Sequence, residues 1–256
     1  MPEPLGAHNP RIAQVRELLA KKGREAQGAF LFEGPTLLAE AARSASPLQA
    51  LYMTQEAYDS TAVALQLEAR GVPVYIVNDA TAAKLSQVES PTGILAVCAA
   101  RTTRPAEFFA HEGPVLILAG VNDPGNAGTL VRSADAFGVR RVLFGSGSVE
   151  PFNPKVVRSS MGSLFHVQVA VGTPAEVSSA AGGWQLLGLS TRGEPLGELR
   201  LGPKMGLIVG HERHGLGPWE GVCTRTVSIS MPGLAESLNA AVAGSIALYE
   251  ATRAPA

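Results

Sequence analysis

The segment at 114–119, Pro-Val-Leu-Ile-Leu-Ala, constrains this chain more than any other. It holds no polar residue, and a glycine-bearing loop follows at once: Gly120-Val-Asn-Asp-Pro-Gly-Asn-Ala-Gly128. A strand with one wet face alternates apolar and polar residues. A strand without alternation is buried on both faces, the situation of a parallel sheet covered by helices. Parallel neighbours need crossovers, so strands and helices must alternate along the chain. The second half supplies that alternation. We expect helices over 126–137 and from 154 to 161, the latter with Asn153 as cap. Further strands are expected over 141–144, 164–169, 185–189, 206–209 and 226–229, and an alanine-rich helix over 236–252. The expected fold class is α/β, a mostly parallel sheet with helices on both faces.

The first hundred residues repeat the alternation on a smaller scale. Ile12, Val15, Leu18 and Leu19 recur at helical spacing, predicting a helix over 10–24 that Gly23 ends. Strands are expected at 30–33, 48–53, 72–77 and 93–99, with helices at 35–45, 61–70 and 81–88. Residues 101–112 lack an apolar period and read as a linker. The expected organisation is a small α/β domain at 1–100, the linker at 101–112 and a larger domain at 113–256.

Composition narrows the class. Of 256 residues, 46% are hydrophobic and 17% charged, which excludes a disordered chain. The two cysteines, Cys98 and Cys223, form no C-x-x-C pair, so a reduced, cytoplasmic setting without disulfides is expected. No apolar run reaches the ~20 residues of a membrane span, and the start lacks a signal-peptide core. The net charge of −1 speaks mildly against a nucleic-acid partner. Against it stand local basic groups: Arg11, Arg16, Lys21, Lys22 and Arg24, then Arg140 and Arg141, then Lys155 and Arg158. Local basic surface can bind phosphate on a nearly neutral protein.

Ligands of parallel α/β sheets sit beyond the carboxyl ends of the strands, so the loops there carry the chemistry. In the first loop, Gly125 and Gly128 permit close backbone approach and Asn126 is a candidate helix cap. Arg132 follows Asn126 by six residues, which is expected to put it on the same side near a helix N-terminus, suited to a phosphate or carboxylate. The second loop is Gly210-His-Glu-Arg-His-Gly215. Its histidines are one residue too close for a zinc H-E-x-x-H site, and no metal is assigned. The third runs from Ile229 through a Met231-Pro-Gly turn to Glu236-Ser-Leu-Asn239, where Ser237 and Asn239 are polar groups at a helix start. Small residues Ala240, Ala241, Ala243, Gly244 and Ser245 let that helix approach another backbone, in the core or across a subunit interface. No G-x-G-x-x-G after a strand, P-loop or G-x-S-x-G elbow is present.

In order and spacing, these loops resemble the signature motifs of the SpoU family of RNA 2′-O-methyltransferases. The first resembles N-x-x-N-x-G-x-x-x-R at Asn122 or Asp123, Asn126, Gly128 and Arg132. The second resembles G-x-E-x-x-G at Gly210, Glu212 and Gly215. The third resembles I-P-M-x-G-x-x-x-S-L-N at Ile229, Met231, Gly233, Ser237, Leu238 and Asn239. Residues 1–100 resemble the substrate-binding domain of members that act on ribosomal RNA, through Phe30-Leu-Phe-Glu-Gly34 and the helix after it. The chain departs from the pattern at Ser230, where the family has proline, and at Ala240 and Ala241, where it has valine and serine.

The resemblance implies a parallel sheet tied in a deep trefoil knot, and a homodimer with the last helix and the first loop's helix at its interface. It implies S-adenosylmethionine as cofactor, held by Leu189, Ser190, Thr191, Gly210, Ile229, Met231 and Leu238. Catalysis would rest on Asn126, Arg132, Glu212, Ser237 and Asn239, with Arg132 as a base or as an anchor for the adjacent phosphate. The implied substrate is RNA, ribosomal RNA first, because only RNA carries the 2′-hydroxyl. A transfer-RNA methyltransferase and a non-catalytic RNA-binding protein of the same fold are the alternatives.

Overall fold

A computed structural model describes residues 2–44, 46–197 and 199–252. The chain separates into two compact units, one built from 1–101 with 152–165, the other from 102–151 with 166–256. In the first unit the strands are β1 (Glu3–Pro4), β2 (Ala29–Glu33), β3 (Leu48–Met53), β4 (Val74–Ile76) and β5 (Ile94–Ala99). Its helices up to residue 101 are α1 (Pro10–Glu17), α2 (Lys21–Gln27), α3 (Pro35–Arg43), α4 (Gln55–Ser60), α5 (Ala62–Ala69) and α6 (Asp79–Leu85). The strand order is β1-β4-β3-β5-β2, with β5 antiparallel to both its neighbours.

The single helix expected over 10–24 is two. Gly23 lies inside the second, which ends at Gly28, whose φ of 57° is left-handed. Helix α4 was not expected, and Ala45, placed in the helix at 35–45, lies outside the described residues. Arg24 is buried and donates to the carbonyls of Leu18 (2.7 Å) and Leu19 (3.0 Å), so it caps the turn between α1 and α2 and is no part of a basic surface.

The second unit contains α7 (Pro105–Phe109), β6 (Val115–Ala119), α8 (Pro124–Ala136) and β7 (Arg141–Gly145). The chain then lends α9 (Pro154–Ser159) to the first unit, where Phe152 stacks on Phe30 at 4.8 Å between ring centres. It returns as β8 (Gln168–Gly172), α10 (Pro174–Ala180), β9 (Gln185–Pro195), β10 (Met205–Gly210), β11 (Arg225–Ser228) and α11 (Ala240–Thr252). The sheet order is β11-β9-β10-β6-β7-β8 and every pairing is parallel. The unalternating strand β6 lies at the centre and is buried along its whole length, as its sequence requires.

Residues 101–112 are not a bare linker. Thr103 bridges to Ala170 in β8, and Phe108 and Phe109 of α7 are buried in the core with Trp184. Arg141 holds this segment down. It donates to the carbonyls of His111 (2.6 Å) and Gly113 (3.2 Å) and lies over the Phe108 ring at 4.4 Å. Burial pushes its pKa down, and it offers no surface charge. The expected strand over 164–169 begins only at Gln168, after a short 3-10 turn at Ser163–Phe165.

Candidate active site

The carboxyl ends of β10 and β11 and the middle of β9 border one cleft. Strand β10 stops at Gly210, in register with Ala119 of β6. A Cβ on Gly210 would stand 2.4 Å from the Gly215 carbonyl oxygen and 2.8 Å from the Leu216 nitrogen, so only glycine fits there. The loop closes tightly: His211 N–H donates to Gly215 O at 2.8 Å and Gly215 N–H returns to His211 O at 2.9 Å. Gly215 has a φ of 60°, the left-handed conformation that glycine adopts without strain. The resulting cleft has a volume of about 540 Å³, within the range of small-molecule sites. Leu189, Ser190, Thr191, Gly210, Ile229, Met231 and Leu238 all line it, as do Glu212 and Ser237.

Beside the cleft the three loops are joined by one side-chain amide. Asn126 Nδ2 donates to Glu212 Oε1 at 2.5 Å, and Asn126 Oδ1 accepts from Asn239 Nδ2 at 3.1 Å. Both ends of the amide are used, which fixes its orientation. Asn239 is held in turn. Its Oδ1 accepts from the backbone N–H of Ala241 (2.9 Å) and Val242 (3.2 Å), capping α11. The last helix therefore starts at Ala240 and not at 236, leaving Ser237 in the extended lead-in.

Asn126 is not the cap expected of it. Asp123 caps α8, accepting from Asn126 N–H at 2.8 Å, with Pro124 in the first turn. The Asn126 side chain is thereby released from capping. Arg132 stands eight residues into α8, about 12 Å along the axis from its start. Six residues at ~100° each carry it roughly 120° around the axis from Asn126, so the two are not on the same side. Arg132 is exposed, is not among the residues lining the cleft, and makes no hydrogen bond or ion pair among the described residues.

Residues 113–249 match the SpoU rRNA Methylase family, and residues 9–96 match the MRM3-like substrate binding domain. The chain belongs to the SpoU rRNA methylase family. It is 33% identical over 249 residues to the 23S rRNA (guanosine(2553)-2′-O)-methyltransferase RlmP of Bacillus subtilis, covering 95% of this chain and 96% of the relative. It is 31% identical over 264 residues to the 23S rRNA (uridine(2479)-2′-O)-methyltransferase of Streptomyces viridochromogenes, covering 96% and 91%. The crystal structure of the SpoU methyltransferase AviRb from that organism, in complex with the cofactor AdoMet, superposes with a TM-score of 0.82 at 30% identity, covering 96% of this chain and 97% of that one. As a family member the protein is an RNA 2′-O-methyltransferase.

The SpoU motifs name fewer residues than the cleft uses. His211, His214, Glu220 and Glu236 also line it, and the rings of His211 and His214 lie 4.7 Å apart. They occupy positions between or beyond the motif residues, where the pattern gave no signal. Cys223 lies behind Gly188 of β9, and burial together with Glu220 pushes its thiol up to about 11. It is not a thiolate at neutral pH, so the site offers no cysteine nucleophile. Among the described residues no group of acidic, histidine or cysteine side chains could hold a metal ion.

Proposed function

We propose that this protein transfers a methyl group from S-adenosylmethionine to a ribose 2′-hydroxyl of 23S ribosomal RNA. The observation that carries this reading is the Glu212–Asn126–Asn239 bridge, which gathers all three SpoU loops beside the cleft. The relatives' names supply the substrate: one acts on a guanosine and one on a uridine of 23S rRNA, with this chain covering nearly the whole of each.

The cleft suits the cofactor. Its volume and its apolar residues Leu189, Ile229, Met231 and Leu238 fit an adenosine with an amino-acid tail. Bound there, S-adenosylmethionine supplies an electrophilic methyl group on a sulfonium. The chain's own residues do the rest by placement. Holding two reactants in line supplies much of such a rate enhancement. Ser237 in the cleft wall and Asn239 at the cap would orient the ribose, and Asn126 and Glu212 would hold both loops in register. Arg132, without a partner among the described residues, would clamp the neighbouring phosphate through its fixed fork of donors. A guanidinium stays protonated, so anchoring suits it better than proton abstraction.

The remaining parts of the reading are organisational. The unit that contains the match to a substrate-binding domain would hold RNA, and the second unit would carry the knot and the reaction. The protein would work in the cytoplasm; among the described residues no helix is long and apolar enough to cross a membrane. It would work as a homodimer, joined through the outer face of α11.

The test is methyl transfer from labelled S-adenosylmethionine to separate pools of ribosomal and transfer RNA, analysed for 2′-O-methylribose. We expect label in 23S rRNA, and its loss in Arg132→Ala with cofactor affinity unchanged. Label in transfer RNA alone would overturn the substrate. Full turnover by Arg132→Ala would overturn the role of the arginine.

A further inference from the structure

The first unit carries a second concave surface, between α1 and α6, with a volume of about 590 Å³. Its floor is apolar: Ile12 and Leu85 belong to the buried core beneath. Its walls carry cations from separate helices, Arg16 from α1 and Lys84 from α6, with His8 at the end. Glu17 also lines it, held by a hydrogen bond from Gln27 Nε2 at 3.0 Å, so the groove sets two cations against one carboxylate.

Several other cations of this unit are already engaged. Arg11 is paired with Glu3 at 3.4 Å, Lys21 with Glu25 at 3.6 Å and Arg43 with Glu40, while Arg24 is buried on backbone carbonyls. Arg16 and Lys84 are exposed and make no ion pair or side-chain hydrogen bond among the described residues. Lys22 and Arg70 are exposed and unpaired among the described residues as well, but neither lines the groove, whereas Arg16 and Lys84 both do. In a protein of net charge −1, such a pair is a local focus of positive potential.

We infer that the α1–α6 groove is a docking site for the phosphodiester backbone of the RNA substrate, with Arg16 and Lys84 as its phosphate contacts. The inference rests on the reading of the protein as an RNA methyltransferase and adds where its front unit grips RNA. Phosphate contacts position a nucleic acid without reading its sequence. The groove therefore sets affinity and register, and leaves the choice of nucleotide to other surfaces.

The experiment uses the full chain and total 23S ribosomal RNA. Arg16→Glu and Lys84→Glu are compared with Arg70→Glu, the same charge reversal at an exposed position outside the groove. RNA affinity is measured across a salt series, alongside kcat, KM for RNA and affinity for S-adenosylmethionine. Each phosphate contact contributes about one unit of slope to the dependence of log affinity on log salt. We expect each groove variant to raise KM for RNA roughly tenfold and flatten the slope by about one unit, with kcat and cofactor affinity unchanged. The neutral variants Arg16→Gln and Lys84→Gln should shift the same way by less, and Arg70→Glu should change little.

An unchanged slope, or an equal loss in Arg70→Glu, would overturn the groove as a phosphate site. So would normal binding to naked RNA with weakened binding to ribosomal particles, which would make the partner a protein. If the unmodified chain binds 23S rRNA but transfers no methyl group to it, the functional reading fails while the salt series still decides the groove.

Discussion

At the scale of single residues, the site turns on how one amide is used. Asn126 gives its nitrogen to Glu212 and accepts from Asn239 on its oxygen; an aspartate keeps the second bond and loses the first. Asn126→Asp would set a carboxylate against Glu212 Oε1 in a half-buried setting. We expect it to cost about 1–3 kcal/mol at neutral pH, more than Asn126→Ala, which lets water reach Glu212. Two facing carboxylates raise the pKa of one of them. The excess cost of Asn126→Asp over Asn126→Ala should therefore be present at neutral pH and shrink as pH falls into the carboxylate range. Denaturant unfolding of both variants at pH 7 and pH 5 checks this, and equal stability at both values would sink it. The residue types of this network were legible from the motifs. Their bonding was not, because a motif gives spacing along the chain, while Asn126 and Glu212 meet across two loops. The helix cap went astray for a related reason. Asp123 and Asn126 are both good capping residues, and Pro124 between them, suited to a first turn, decided the matter.

At the scale of elements, the strands were more legible than the helices. An apolar run such as 114–119 has one stable environment, and β6 lies there, fully buried at the sheet centre. Short helices whose ends are set by tertiary contacts gave weaker signals. The helix α7 was hidden in a polar stretch, since its buried side is only Pro105, Phe108 and Phe109. The helix α10 was also missed, although it carries a full capping box: Thr173 Oγ1 accepts from Glu176 N–H, and Glu176 accepts from Thr173 N–H at 2.8 Å. That backbone bond, with a second from the Thr173 hydroxyl, holds the Glu176 carboxyl below the usual range. A lowered carboxyl pKa contributes stability that is present above the unfolded value and is lost as pH falls through the folded one. Thr173→Ala should cost about 1 kcal/mol at pH 7, and the cost should fall toward the acid end. Thermal unfolding of this variant against the unmodified chain from pH 7 down to pH 3 measures the difference, and a cost that grew on acidification would contradict the box.

At the scale of the whole molecule, the two faces of the last helix differ. The small residues noted in the sequence serve the protomer itself. Ala240, Ala241, Gly244 and Ala247 are buried, Ser245 Oγ meets Ser133 Oγ of α8 at 2.7 Å, and a Cβ on Gly244 would come within 2.4 Å of Leu130. The small-residue face is therefore used up inside the subunit, and the proposed dimer must use what remains. What remains is apolar: Val242, Ile246 and Tyr249 recur at helical spacing and are 48%, 37% and 52% exposed, with Phe137, just after α8, beside Tyr249 at 5.8 Å. A contiguous exposed apolar stripe is the kind of surface that marks an interaction site. A twofold contact would bring this stripe onto its own copy, burying it in both subunits. A charge at its centre would be buried against an identical charge, so Ile246→Glu should yield monomers at concentrations where the unmodified chain sediments as a dimer. Because Ile246 points away from the core, the variant should keep its fold and its circular dichroism. Since α11 is capped by Asn239, whose amide is tied to Asn126, loosening the dimer should also weaken cofactor binding and methyl transfer. Sedimentation, cofactor affinity and turnover measured on the same preparation test the chain of cause together: monomers with full activity would separate assembly from catalysis, and dimers in Ile246→Glu would place the interface elsewhere.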